Sequence, residues 1–379
     1  MKKLITLLLL LCTTSITLKA TDFEYDGIYY TILDEAAGTC QTRAGDIGIS
    51  GNSVWGNVII PSKVEYNSKE YTVVAIGDYS FKGQSIDSMV IPNTVTSIGV
   101  LAFVYCTSMR SVVIPESVTS IGQEAFSHCG LFSVEIPNSI TTIDYSTFAS
   151  CPVLSSVKIP NSVTTIRSTA FSSCGFLKSI EIPNSVTTIE QAAFELTGLT
   201  SIKIPDSVTS IAESLFSGCK ALTSIEIPES VTSIENYAFD CCKALTSIEI
   251  PKSVTEVGYQ AFVACNALES VYCYALTPPS ITKQSYWSGG AFDKETYTNA
   301  TLYVPGKSIE DYKNAEEWKN FIKIKDYATS SITDAINPED NTITVFNLQG
   351  IKQPVSTRDQ LNTLAPGYYI VNNKKILIK

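Results

Sequence analysis

The chain has 379 residues, 44% of them apolar and 17% charged, and carries a formal net charge of −10. That length admits two or three domains. The acidic balance excludes the basic stripe that nucleic-acid binders present to phosphates, so no nucleic-acid partner is expected and the charge serves solubility.

Met1-Lys2-Lys3 is a short positive start, and residues 4–11 are an unbroken apolar run. That run is far shorter than the roughly 20 residues a bilayer-spanning helix needs. With the polar stretch behind it and Leu18-Lys19-Ala20 at its end, residues 1–20 read as a secretory signal peptide cleaved after Ala20. Lipidation at Cys12 is the alternative processing. No later stretch is long and apolar enough for a transmembrane helix. The expected location is secreted or on the outer cell surface, with outer-membrane surface attachment the second possibility.

Residues 21–73 hold short β-type runs, among them Phe23-Glu24-Tyr25 before Asp26-Gly27 and Val58-Ile59-Ile60 before Pro61. They are expected to form a β-rich cap. From residue 74 to 272 the chain keeps a strict rhythm. Ile-Pro recurs with Pro at 92, 115, 137, 160, 183, 205, 228 and 251, in steps of 23, 22, 23, 23, 22, 23 and 23 residues. Phe keeps the same beat at 81, 103, 126, 148, 171, 194, 216, 239 and 262. The unit is I-P-x-S-V-T-S-I-x-x-x-A-F-x-x-C-x-x-L-x-S-I-x-I.

The chemistry of one unit explains its consensus. In Ser224-Ile225-Glu226-Ile227-Pro228 the isoleucines alternate with polar residues, as in a strand with one buried face. Pro228 lacks an amide hydrogen, so it stops the ladder and turns the chain. Val231 and Ile234 then re-enter the core as a second short strand. Ala238-Phe239 closes the coil with one large ring. A single unit cannot bury its faces alone and must stack on the next. Nine coils at a strand spacing of about 4.8 Å give a solenoid about 40 Å long.

A period of this length with an L-x-x-I-x-I core resembles the BspA-like leucine-rich repeats of bacterial surface proteins. The resemblance implies a leucine-rich-repeat solenoid of about nine 22–23-residue coils, with a β-rich N-terminal cap and a small β module at the C-terminus. It further implies a non-enzymatic surface protein that binds a protein or glycan ligand on host or neighbouring cells. The alternative is a carbohydrate-binding accessory protein of a glycan-utilisation system, and a hydrolase ranks third.

Of the 11 cysteines, seven share one repeat position, three after the Phe: Cys106, Cys129, Cys151, Cys174, Cys219, Cys242 and Cys265. Gln84 and Thr197 fill that slot elsewhere. Stacking would set neighbours about 5 Å apart, within disulfide reach, yet residues in a column point in parallel rather than converging. The column is expected to hold free, buried thiols, with adjacent-coil disulfides the alternative. The single histidine, His128, abuts Cys129. Its repeat slot holds Tyr105, Ser150, Ser173, Gly218, Cys241 and Ala264 in other coils, so a solvent-facing turn residue is expected rather than a Cys-His couple. There is no C-x-x-C pair, phosphate loop, dinucleotide fingerprint or nucleophile elbow. No catalytic residue, metal ligand or cofactor is expected.

Recognition is expected to be spread over columns. Between the two buried strand residues lie Val90, Val113, Glu135, Lys158, Glu181, Lys203, Glu226, Glu249 and Tyr272. The alternation of acid and base reads either as a self-satisfied ladder or as a polar recognition strip. Beside it runs a serine column from Ser88 to Ser270. A third, variable column includes Arg110, Phe132 and Lys178. The candidate binding face is Glu135, Lys158, Glu181, Lys203, Glu226 and Glu249 with Arg110, Phe132 and Lys178.

Residues 273–327 read as a C-terminal cap and 328–342 as a polar linker. Residues 343–379 show three short strands with five basic residues and one acidic, a net +4. Asn347-Leu348-Gln349-Gly350, Pro366-Gly367-Tyr368-Tyr369-Ile370 and the terminal Lys374-Lys375-Ile376-Leu377-Ile378-Lys379 are similar to the C-terminal sorting domain of the Bacteroidetes type IX secretion system. That resemblance implies passage across the outer membrane, then removal or anchoring at the surface. The other reading is a small β module that closes the chain.

Overall fold

A computed structural model describes residues 21–44, 54–282 and 289–327, and beyond them 344–347, 352–355, 360, 364, 367–371 and 374–378. The signal segment with Cys12 and the linker lie outside the described residues.

The repeats stack as a solenoid with two parallel strand columns. Strands of the first column include Trp55–Ile59, Ser85–Val90, Ser111–Val113, Ser133–Glu135, Ser156–Lys158 and Ser201–Lys203. It continues through Ser224–Glu226, Ser247–Ile250, Ser270–Cys273, Thr301–Val304 and Lys323–Asp326. The second column runs from Lys69–Ile76 through two-residue strands such as Ser97–Ile98 and Ser233–Ile234 to Ser280–Ile281. Pairing is parallel and in repeat register, with Ile202 opposite Ile225 and Ile211 opposite Ile234. About eleven turns form, against the nine expected. The extra turns lie where the consensus fades. Trp55–Ile59 pairs in parallel with Ser85–Val90, and Thr301–Val304 continues from Ser270–Cys273 across an insertion that breaks the period.

The third side of each coil is a tight turn around its Phe. Ten rings, from Phe81 to Phe292, form one buried stack, with centroid spacings from 5.0 to 6.0 Å. The backbone is held between coils by bonds such as Phe103 N–H to Ala125 O at 2.8 Å. Two residues per turn adopt left-handed backbone, as Glu124 (φ 55°) and His128 (φ 58°) do on either side of Phe126.

The two 22-residue steps have a visible cause. Most coils join the cysteine slot to the next core Leu with two residues, but Cys129-Gly130-Leu131 and Thr197-Gly198-Leu199 have only one. Each shortened turn presses its glycine against the preceding coil. A Cβ on Gly130 would lie 2.2 Å from Thr107 O, and one on Gly198 would lie 2.2 Å from Gly175 O. The second strand column is interrupted at these same coils. It ends at Ser120–Ile121 and restarts at Thr142–Ile143, then ends at Thr188–Ile189 and restarts at Ser210–Ile211.

Both ends of the stack are covered, as a solenoid core requires. Antiparallel strands Asp22–Tyr25, Ile28–Asp34 and Thr39–Thr42 pack Phe23 on Tyr30 and Tyr66, with ring centroids 5.5 and 4.7 Å apart. At the far end, Lys294–Asn299 and Ile309–Asn314 are short helices. Trp318 donates its indole N–H to Pro279 O at 2.7 Å, and Tyr312 its hydroxyl to Ala275 O at 2.9 Å. Further on, Val345–Asn347, Gly367–Val371 and Lys374–Ile378 form a three-stranded antiparallel sheet.

Candidate binding face

The outward residues of the first strand column form a strip, with register placing each opposite its repeat equivalent within each paired set of strands. The strip has three sections. The first is apolar: Ile59, Val90 and Val113 stand opposite one another and are 71%, 41% and 61% exposed, with Trp55 at 74% on the same edge strand. The middle is charged. The last is aromatic, with Tyr272 opposite Tyr303 and their rings stacked at 4.6 Å.

The charged section is not one even ladder. Glu135 pairs with Lys158, and Lys203 with Glu226 at 3.5 Å, all four side chains well exposed. Each such pair contributes about 0.2–1 kcal/mol. Glu181 lies between the pairs in a segment, 178–181, that is not strand. Glu249 accepts the Tyr274 hydroxyl at 3.1 Å. Arg110 and Phe132 come together, the guanidinium carbon 5.4 Å from the ring centroid and Nη1 donating to Gly130 O at 3.2 Å. Lys178, in the same column, is exposed two coils away.

The serine column beside the strip is exposed along most of its length, so small side chains keep the floor low. Between the strip and the Ile-Pro turns runs an open groove of about 1390 Å³, from Ser179 to Tyr274 and Tyr327. The ring of Tyr274 meets Tyr327 at 5.5 Å and 74°, which makes an aromatic corner at one end. Sequence reasoning did not assemble this aromatic cluster. The cluster escaped it because Tyr303 and Tyr327 lie past the insertion. The signal available was the Tyr272-x-Tyr274 pair, had the period been carried on to Leu302-Tyr303-Val304-Pro305.

The cysteine column points inward. All ten described cysteines are free thiols, and the seven column members are buried. Each donates to the Phe carbonyl of the preceding coil, as Cys129 Sγ does to Phe103 O at 3.1 Å and Cys174 Sγ to Phe148 O at 3.2 Å. Burial pushes the Cys106, Cys174 and Cys265 thiols up to about 12 and those of Cys129, Cys151 and Cys242 upward as well. Thiols so far from ionisation are poor nucleophiles and poor metal ligands. Thr197 fills the slot with a hydroxyl that donates to Phe194 O at 2.8 Å, and Cys219 Sγ also reaches Phe194 O at 3.1 Å.

His128 is not fully solvent-facing as expected. It is half-buried, its ring 4.5 Å from that of Tyr105 and its Nδ1 2.9 Å from Ser127 Oγ. The Cys129 thiol is committed to a backbone carbonyl, so the neighbours form no couple. Among the described residues, no three His, Cys, Asp or Glu are grouped so as to hold a metal ion, and no helix is long and apolar enough to cross a membrane.

Stacked coils of 22–23 residues, a strand per coil and an inward Ile-Phe-Leu core define a leucine-rich-repeat β-solenoid. The chain belongs to the BspA type leucine rich repeat family, whose model matches residues 74–198 and 187–312. It is similar to solved structures of a leucine-rich repeat protein from Bacteroides ovatus (25% identity, 80% of this chain and 99% of that one, TM-score 0.38) and a leucine rich cell surface protein from Faecalibacterium prausnitzii (25%, 67% and 95%, 0.33). The pneumococcal vaccine antigen PcpA is a third (17%, 81% and 98%, 0.45). No curated protein matches.

Proposed function

We propose that the chain is an exported protein of the cell surface that binds macromolecules non-covalently through the first strand column. The observation that carries this reading is the uncovered strip itself. Trp55, Ile59 and Val113 are each more than half exposed on the outer face of paired parallel strands. Apolar side chains of that size in a contiguous patch mark interaction sites more often than solvent surface. The charged section adds specificity and electrostatic steering. Ligands in this reading are proteins or glycans of host or neighbouring cells, and the protein performs no catalysis.

Export rests on residues 1–20, and the residues after 342 act as a type IX sorting module that delivers the solenoid to the outer surface. The consensus repeats occupy 74–272, flanked by a cap at 21–73, a second cap at 273–327, a linker at 328–342 and the sorting module at 343–379, with further coils of the stack reaching into both caps. Surface biotinylation of intact cells, followed by mass spectrometry of the labelled chain, tests delivery and processing. The expected result is a labelled chain that begins after residue 20. A protein protected from the reagent until lysis would contradict it. The tyrosine corner favours a second reading, a carbohydrate-binding accessory protein.

A further inference from the structure

The strand face carries, besides its exposed strip, a groove with a chemistry of its own. It runs across successive coils and ends at Tyr274 and Tyr327, whose rings meet at 74°. Its walls place Lys203 with Asp206, Glu226 with Glu229 and Glu249 with Lys252 on three successive coils. Glu249 fixes the Tyr274 ring through the hydroxyl bond at 3.1 Å. The Lys203–Glu226 pair is exposed on both sides, so it opens to other partners at little cost.

We propose that this groove binds a neutral, linear oligosaccharide. The proposal rests on the reading of the strand face as a recognition surface and names a ligand class for one part of it. A sugar ring has an apolar C–H face and a rim of hydroxyls. The first stacks on an aromatic ring, and the second needs charged or polar groups in pairs. Tyr274 and Tyr327 supply two ring surfaces at an angle, so one sugar unit lies against one ring and abuts the other. A carboxylate accepts from two adjacent hydroxyls and an ammonium donates to them. The groove carries both groups, with Lys203, Glu226 and Glu249 on its strand side and Asp206, Glu229 and Lys252 on its turn side. Its repeat, about 4.8 Å per coil, is close to the length of one pyranose unit, so successive sugars meet two charged groups on each successive coil. The acids are not outnumbered by bases, which disfavours uronic or sulfated chains. The apolar section at Ile59, Val90 and Val113 lies outside the groove lining and is left for other contacts.

The test is calorimetric titration of the intact protein with neutral β-1,4-gluco-, β-1,4-xylo-, β-1,4-manno- and β-1,3-gluco-oligosaccharides of tetramer to hexamer length. The expected result is saturable binding of at least one series. Tyr274→Ala and Tyr327→Ala weaken it at least tenfold, while Thr164→Lys, exposed and outside the groove lining, leaves it unchanged. Two aromatic variants are used so that a folding defect in one, read by circular dichroism, does not decide the matter. Absence of binding across the panel overturns the proposal, as does binding indifferent to both tyrosines. If no saccharide binds but an extracellular-matrix protein is captured in a manner that Val113→Asp abolishes, the saccharide site is refuted and the wider reading of the face stands. If neither class binds, both fall.

Discussion

Replacing Gly130 by alanine should be far more damaging than the same change at Gly175. Both are glycines in the turn that follows the cysteine slot, and neither has positive φ. The new Cβ at Gly130 would lie 2.2 Å from Thr107 O and 2.5 Å from Arg110 Nη1. The arginine can swing away, but the carbonyl is backbone and forces one coil off the other. Overpacking against a rigid neighbour costs about 1–3 kcal/mol. At Gly175 the Cβ would meet nothing within 4 Å. There the reduced entropy of the unfolded chain should add about 0.4–1 kcal/mol of stability. The two substitutions should therefore differ by about 1.4–4 kcal/mol, with opposite signs. Urea denaturation followed by circular dichroism measures the gap, and hydrogen exchange shows whether the loss centres on the coils around Thr107 and Gly130. Gly198→Ala should behave as Gly130→Ala does. Equal midpoints for Gly130→Ala and Gly175→Ala would refute the inference that the shortened turns touch the preceding coil.

The thiol column makes the fold sensitive to alkali. A buried thiol keeps its proton where the unfolded one, near 8.5, has lost it, so its stabilising effect is complete below that value and fades as pH climbs toward 12. Each such thiol adds a slope of up to about 1.4 kcal/mol per pH unit in that window. The urea midpoint should fall steeply between pH 9 and 11 (about the unfolded value upward), and Cys174→Thr, copying Thr197, should flatten the fall; a midpoint constant to pH 11 would contradict this. Phe171 sits fully buried between Phe148 and Phe194, at 5.7 Å from each. Phe171→Ala should cost about 3–5 kcal/mol, and a loss under about 1 kcal/mol by denaturation would show that the ring stack is not a continuous core.

The repeat made most of the fold legible in the sequence. Phe171, Cys174, Leu177 and Ile182 recur at fixed offsets, and each offset has one physical job, so the spacing alone implied the inward face. The ends were harder. Phe292 continues the ring stack, and its Ala291-Phe292 pair matches the consensus, but the insertion before it displaces the beat. Trp55–Ile59 is a strand of the stack that runs into Ile60-Pro61, but that Ile-Pro stands out of step with the beat that starts at Pro92. The charged column was legible as a list and not as a geometry. Glu181 falls out of the strand ladder, and that follows from the local backbone at 178–181, which no single residue announces. The tyrosine corner depends on Tyr327, more than fifty residues from Tyr274 at the other end of the C-terminal cap. Period-based reading cannot bring such residues together.

The most direct test of the account is capture of the intact, labelled protein on an array of extracellular-matrix proteins and glycans. A strand-face variant, Val113→Asp with Lys158→Glu and Glu226→Lys, is compared with a control on the opposite strand column, Thr164→Lys with Thr232→Lys, whose positions are equally exposed. The account predicts that the wild-type chain is captured, that the strand-face variant loses at least ten-fold in signal, and that the control retains it. Equal capture of all three, or loss confined to the control, would contradict the claim that the first strand column is the recognition face.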